Sequence, residues 1–116
     1  MTSKLLLAVA LVLAAAGTAF GAATGDQIRS AISDTTVTGN MDASGPYAEF
    51  YQADGAIKGK DYTGTWTIVD DTMCFAYPDT PTACYAVEVE GDQVRWLKDG
   101  KSLGTGTIVK GNTNGF

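Results

Sequence analysis

The two cysteines of this 116-residue chain, Cys74 and Cys84, lie in the segment CFAYPDTPTACY. A cysteine pair can serve thiol redox exchange, metal binding or a structural disulfide. Redox pairs typically read Cys-x-x-Cys at the start of a helix, whereas nine residues intervene here. A zinc site needs further Cys or His ligands, and the chain has no other cysteine and no histidine. The pair is therefore predicted to form a disulfide.

The remaining polar residues show no catalytic pattern. The absence of histidine excludes Ser-His-Asp and Cys-His catalysis. The sequence has no G-x-S-x-G motif, no phosphate-binding loop and no calcium-loop pattern. The acids are predicted to face outward or to lie in turns, with Glu88 and Glu90 beside Arg95 or Lys98 on a neighbouring strand. We therefore expect no catalytic residue, no metal and no cofactor.

Aromatic side chains are the candidates that remain for ligand binding. Alternation along the predicted strands places six of them on one inner face: Tyr62, Trp66, Phe75, Tyr77, Tyr85 and Trp96. In one interpretation they fill a small core, since aromatic residues dominate core burial. In the other, some line an opening and stack on an apolar or sugar-like ligand, with Trp66 and Trp96 the foremost.

One aromatic segment, YAEFYQAD, alternates poorly. Either Tyr47 and Tyr51 or Ala48 and Phe50 point inward, and the pattern does not choose between these two alternatives.

These side chains need strands to position them, and turn signals divide the chain accordingly. Asp-Gly or Gly-Asp pairs occur at 54–55, 91–92 and 99–100, between β-branched and aromatic runs. Strands are predicted at about 35–41, 47–53, 56–60, 62–70, 73–78, 84–90, 93–98 and 102–109. The fold class is therefore mainly β, a seven- or eight-stranded antiparallel meander or small barrel.

A short helix is predicted before the first strand, from about Gly25 to Ser33. Thr24 and Gln27 have the spacing of a capping box. Ile28, Ala31 and Ile32 share one helical face, so the helix is expected to plug an end of the sheet or to cover an edge.

The first residues have the pattern of a secretory signal peptide: Lys4, the apolar run LLLAVALVLAAAG, and small residues near Gly21 and Ala23, after either of which cleavage would fit. We predict a signal peptide at 1–23 and a single β-rich domain at 24–116. Export places the cysteines in an oxidising compartment, where disulfides persist. The exported part keeps seven basic and 13 acidic residues, a net charge of −6. Nucleic acid is therefore not an expected partner, nor is a membrane after cleavage.

A pairing of Cys74 with Cys84 also fits the predicted faces. It places Phe75 and Tyr77 on the same side of a hairpin as Tyr85. It leaves an exposed, proline-stiffened loop that would suit contact with a protein partner, formed by Pro78, Asp79, Thr80, Pro81 and Thr82.

Four segments in this order, TGDQIRSAISDTTVTG, YAEFYQADGAIKGK, GTWTIVDDTMCFAYP and ACYAV, resemble a family of small exported bacterial β-rich proteins of unknown function. The resemblance covers nearly all of the chain after the signal peptide, and its most specific part is the order Trp, Cys, Cys. The chain departs from the pattern at Asp34-Thr35-Thr36, where a Gly-Asn turn is expected. The resemblance implies no activity and no catalytic residues. The meander is also loosely lipocalin-like, as an analogy of fold.

We therefore expect a periplasmic or secreted, non-enzymatic module that binds a small apolar ligand or an envelope protein. The alternative is a carboxylate-based enzyme acting on an envelope sugar polymer, which requires two carboxylates facing one cleft.

Overall fold

A computed structural model describes residues 21–116; most of the predicted signal peptide, residues 1–20, lies outside the described residues. The described chain forms one helix and eight strands: α1 (Gly25–Ile32), β1 (Thr35–Met41), β2 (Gly45–Tyr51), β3 (Ala56–Gly59), β4 (Tyr62–Val69), β5 (Thr72–Ala76), β6 (Ala83–Glu90), β7 (Gln93–Lys98) and β8 (Lys101–Lys110). Each strand pairs antiparallel with the next, and β8 pairs with β1, so the sheet closes. The prediction of a mainly β fold is confirmed as an eight-stranded barrel.

The two ends of the barrel differ. Because the strands run antiparallel in chain order, the connections after β2, β4 and β6 share one end with α1, which we call the helix end. The connections after β1, β3, β5 and β7 share the opposite end, which we call the open end.

Helix α1 closes the helix end. The predicted capping box is present: the Gln27 backbone N–H donates to Thr24 Oγ1 at 3.2 Å, and the Thr24 N–H donates to Gln27 Oε1 at 2.9 Å. Ile28 and Ile32 are fully buried in the core. The helix ends at Ile32, one residue before the predicted end, because Ser33 adopts an extended ψ of 129°. The helix therefore acts as a plug.

Buried apolar side chains pack together in the barrel next to this plug. The residues of this layer are apolar and almost without exposed surface: Ala23, Val37, Ile57, Trp66, Met73, Val87 and Val94. The segment before the helix is docked as well, since the Ala23 N–H donates to the Val87 carbonyl at 2.7 Å. This half of the barrel is a packed core.

The closure between β1 and β8 depends on glycine. Gly39 lies opposite Gly106 in the β1–β8 register. A Cβ at Gly39 would overlap the carbonyl oxygen of Thr105. A larger residue at position 39 would therefore push the two strands apart and open the barrel.

The predicted disulfide is confirmed. Cys74 on β5 and Cys84 on β6 are directly opposed, with Cα atoms 3.9 Å apart and an S–S bond of 2.04 Å. The disulfide lies on the outer face of the barrel. Phe75, which directly follows Cys74, points inward, and successive side chains of a strand point to opposite faces. The bond joins the two strands close to the exposed 78–82 loop, at the open end.

Candidate functional site

The open end of the barrel contains a cavity of about 420 Å³. Seven of its 13 lining residues are aromatic, and the full set comes from the inner faces of the strands, from the β1–β2 turn and from the β5–β6 loop: Met41, Ser44, Tyr47, Glu49, Tyr51, Tyr62, Phe75, Tyr77, Thr80, Pro81, Ala83, Tyr85 and Trp96. The cavity is therefore a mouth with aromatic walls, opposite the helix plug.

A buried carboxylate, Glu49, lies in this cavity with 6 % of its surface exposed. Three tyrosine hydroxyls donate to it. Tyr51 donates to Oε1 at 2.7 Å and Tyr62 donates to Oε2 at 2.8 Å. The hydroxyl of Tyr77 lies 2.7 Å from Oε2 and 3.0 Å from Oε1. All of these distances lie in the range of O–H···O hydrogen bonds.

The inward position of Glu49 follows from the face of β2. The structure places Tyr47, Glu49 and Tyr51 in the cavity lining, which decides the alternative that the YAEFYQAD pattern left open. The prediction that the acids face outward is therefore wrong for Glu49. Glu49 shares a face with Tyr47 and Tyr51, so its direction depended on the same undecided alternative.

The tyrosines around Glu49 are held in their neutral form. Burial raises the pKa of Tyr51, of Tyr62 and of Tyr77, and the negative charge of Glu49 raises each further. Burial also raises the pKa of Tyr47. The hydroxyls are therefore hydrogen-bond donors at neutral pH, and none is activated as a nucleophile or base.

Hydrogen bonds and ring contacts also hold the aromatic wall of the cavity in place. Trp96 Nε1 donates to the Tyr47 hydroxyl at 2.8 Å, and that hydroxyl donates to the Thr105 carbonyl at 3.0 Å. Phe75 makes edge-to-face contacts with Tyr51, Tyr85 and Trp96, with ring centroids 6.0, 5.6 and 5.4 Å apart. Such contacts fix ring orientations, so the wall is preformed.

Five of the six aromatic residues predicted to bind ligand line this cavity: Tyr62, Phe75, Tyr77, Tyr85 and Trp96. Trp66 does not. Its Nε1 donates to the Gln52 carbonyl in the β2–β3 connection at the helix end, at 2.8 Å, and we leave it out of the candidate site.

The loop predicted as a partner site borders the same mouth. Thr80 and Pro81 line the cavity, while Pro78, Asp79 and Thr82 are exposed around them. The two candidate sets from the sequence therefore meet at one opening.

Three acids outside the cavity, Glu88, Asp70 and Asp71, lie in a strand pair or a turn. Glu88 lies opposite Arg95 in the β6–β7 register, with Oε2 3.4 Å from the guanidinium, as one of the predicted cross-strand pairs. Asp70 and Asp71 form the β4–β5 turn, and Asp71 accepts the Gly25 N–H at 2.9 Å. Over residues 21–116 there is no cluster of three or more metal-ligating side chains. None of the helical structure in this range is long and apolar enough to cross a membrane.

Comparison of the chain with protein-family models, with curated proteins and with solved structures found no match. The resemblance to a family of small exported proteins therefore stays a prediction.

Proposed function

We propose that this chain is an exported, non-enzymatic binding module whose cavity at the open end holds a small ligand. The observation that carries the proposal is the cavity of about 420 Å³ with preformed aromatic walls and a polar group inside. Natural ligand pockets have this size and this composition, mostly apolar with a few placed polar groups.

The contrast between the two ends supports a site over a packing fault. At the helix end Ile28, Ile32 and Ile57 are fully buried, and they do not line the aromatic cavity. At the open end seven aromatic residues surround space that they do not fill. A core selected only for stability is packed to high density, so an unfilled half favours a bound molecule.

The arrangement of acids favours binding over the alternative of a carboxylate-based enzyme acting on an envelope sugar polymer. Among the described residues that line the cavity, Glu49 is the one carboxylate. Hydrolysis of a glycosidic bond by the usual mechanism takes two carboxylates on either side of the bond. Export is supported by the Cys74–Cys84 disulfide, which is compatible with an oxidising compartment such as the periplasm or the outside of the cell.

Intrinsic fluorescence tests the proposal, because one tryptophan, Trp96, lines the cavity and the other, Trp66, does not. In a Trp66→Phe variant the emission comes from Trp96 in the cavity wall, and in a Trp96→Phe variant it comes from Trp66 outside the cavity. Titration with lipids, sugars, haem-like compounds and amines should produce a saturable change in Trp66→Phe and little change in Trp96→Phe.

Calorimetry on the unmodified protein serves as the independent measure of binding. The proposal fails if no compound of the panel gives heat of binding and the emission of Trp96 stays constant throughout. A saturable change confined to Trp66 would also contradict it, because the ligand would then lie elsewhere.

A further inference from the structure

We infer that the ligand is an organic cation, with its ammonium group against the aromatic wall beside Glu49. This ligand class presupposes the proposed function and narrows it. It follows from the charge of the cavity, from the unused hydrogen-bonding capacity of the carboxylate and from the nature of the walls.

The cavity contains a negative charge without a positive partner. Glu49 is 6 % exposed, and its contacts within the described residues are neutral tyrosine hydroxyls. No Lys or Arg occurs among the described residues that line the cavity. Hydroxyl dipoles satisfy the oxygens but do not cancel the charge, and a buried charge is costly unless it is paired. A cation inside the cavity would supply the missing pair.

The carboxylate also has room for one more donor. An ionised carboxylate offers about four acceptor sites on its two oxygens. Tyr51, Tyr62 and Tyr77 each bring a single hydroxyl proton, and Tyr77 lies near both oxygens but donates only one. One acceptor site therefore remains for a ligand N–H, while a quaternary ammonium would be held by charge alone.

The walls suit a cation as well. With the hydroxyls of Tyr62 and Tyr77 turned onto Glu49, their rings form the mouth, with centroids 6.1 Å apart and an interplanar angle of 64°. Trp96, Phe75 and Tyr85 continue the wall. Aromatic rings attract ammonium groups placed within about 6 Å, and desolvated sites bind them most strongly. The formal net charge of −5 also draws cations towards the protein and repels anions such as fatty acids.

Three probes with one hexyl chain and different head groups test the ligand class: hexyltrimethylammonium, hexanol and hexanoate. In calorimetric titrations of the full exported protein, we expect the cation to bind about tenfold more tightly than the alcohol, in line with the energy of a desolvated cation–π and charge contact. Hexanoate should bind most weakly, because it meets the charge of Glu49.

A Glu49→Gln variant should reduce the preference for the cation to about threefold or less while the affinity for hexanol is kept. The matched control is Glu90→Gln, which removes an exposed carboxylate outside the cavity and should leave the head-group order unchanged.

Because Glu49→Gln deprives the tyrosines of acceptors and can unfold the barrel, Tyr62→Phe provides a second variant. It keeps the ring and the charge of Glu49, so hexyltrimethylammonium should keep its preference over hexanol, and loss of that preference in a folded Tyr62→Phe protein would contradict the inference.

Equal affinity for the cation and the alcohol in the unmodified protein overturns the inference and leaves the proposed function standing. The same conclusion follows if a neutral or anionic compound of the wider panel binds while the cation does not. If no compound of any charge binds, the proposed function fails together with the inference.

Discussion

Glu49 and its three tyrosine donors are the most informative residues of the molecule. A carboxylate buried beside an arginine would have both its oxygens and its charge satisfied. Here Tyr51, Tyr62 and Tyr77 satisfy the oxygens alone. In an ion pair the negative charge is already balanced, whereas the charge of Glu49 could still be balanced by a positively charged ligand.

A Tyr77→Phe substitution removes the hydroxyl that contacts both oxygens of Glu49. We expect the free energy of unfolding to fall by about 1–3 kcal/mol, because a buried charged acceptor loses a donor. Urea denaturation at neutral pH measures this loss. The control is Tyr85→Phe, since the Tyr85 ring packs on Phe75 while its hydroxyl makes no hydrogen bond within residues 21–116; equal losses in the two variants would contradict the role given to Tyr77.

Among the elements, the β5–β6 hairpin links stability to the site. Its two strands carry the disulfide on the outer face and Phe75 and Tyr85 on the cavity side, and Tyr77 follows directly after β5 in the cavity lining. The loop between them brings Thr80 and Pro81 to the mouth. A constraint on this hairpin therefore shapes the opening.

A Cys74→Ala/Cys84→Ala variant tests this constraint. The free energy of unfolding should fall by about 2–3 kcal/mol, because the loop that the bond closes regains freedom in the unfolded chain. Ligand affinity should weaken as the loop loosens. Urea denaturation and calorimetry give the two readouts, and the reduced wild-type protein should behave like the variant. Two thiols open to alkylation in the wild-type protein, purified without reductant, would show that the bond does not form.

At the scale of the whole fold, residues 21–116 form a closed barrel that is plugged at one end and open at the other. Each strand pairs with a neighbour on both sides, and the β1–β8 seam, where Gly39 meets Gly106, is paired from Thr35 to Met41. The core beside the helix holds the barrel together, so the fold tolerates an unfilled cavity at the open end. Several tyrosines share that space, and their ionisation acts on the stability of the entire barrel.

Stability should decline at alkaline pH. Burial and the charge of Glu49 raise the pKa of Tyr51, Tyr62 and Tyr77 above the value of 10.0 for free tyrosine. Above that pH the unfolded chain loses protons that the folded chain keeps. Unfolding is then favoured by about 1.4 kcal/mol per pH unit for each tyrosine that stays protonated. The share of Tyr62 is smaller, because 42 % of its surface is exposed and solvent screens it.

Urea denaturation at about pH 8 to about pH 12, together with the absorbance of tyrosinate, measures this effect. Stability should be constant with respect to these groups below about pH 10 and fall above it. A tyrosine titration of the folded protein with all groups near pH 10 would contradict the assignment.

The features that were predicted correctly rest on short-range chemistry. The capping box needs Thr24 and Gln27 three residues apart, and the Asp99-Gly100 turn needs two residues that tolerate positive φ, which they adopt at 52° and 77°. The pairing of Cys74 with Cys84 follows from strand alternation across one hairpin. In each case the residues that decide the structure are neighbours in the chain.

Longer-range features were decided by the tertiary structure. Both faces of β2 carry buried aromatic residues, Phe50 on one and Tyr51 on the other, so alternation could not show that Glu49 points inward. The level of a residue along the barrel axis depends on how eight strands are staggered, which is why Trp96 reaches the cavity and Trp66 does not. Strand alternation restricts a side chain to one of the two faces of the sheet, but closure of the barrel decides which other side chains it contacts.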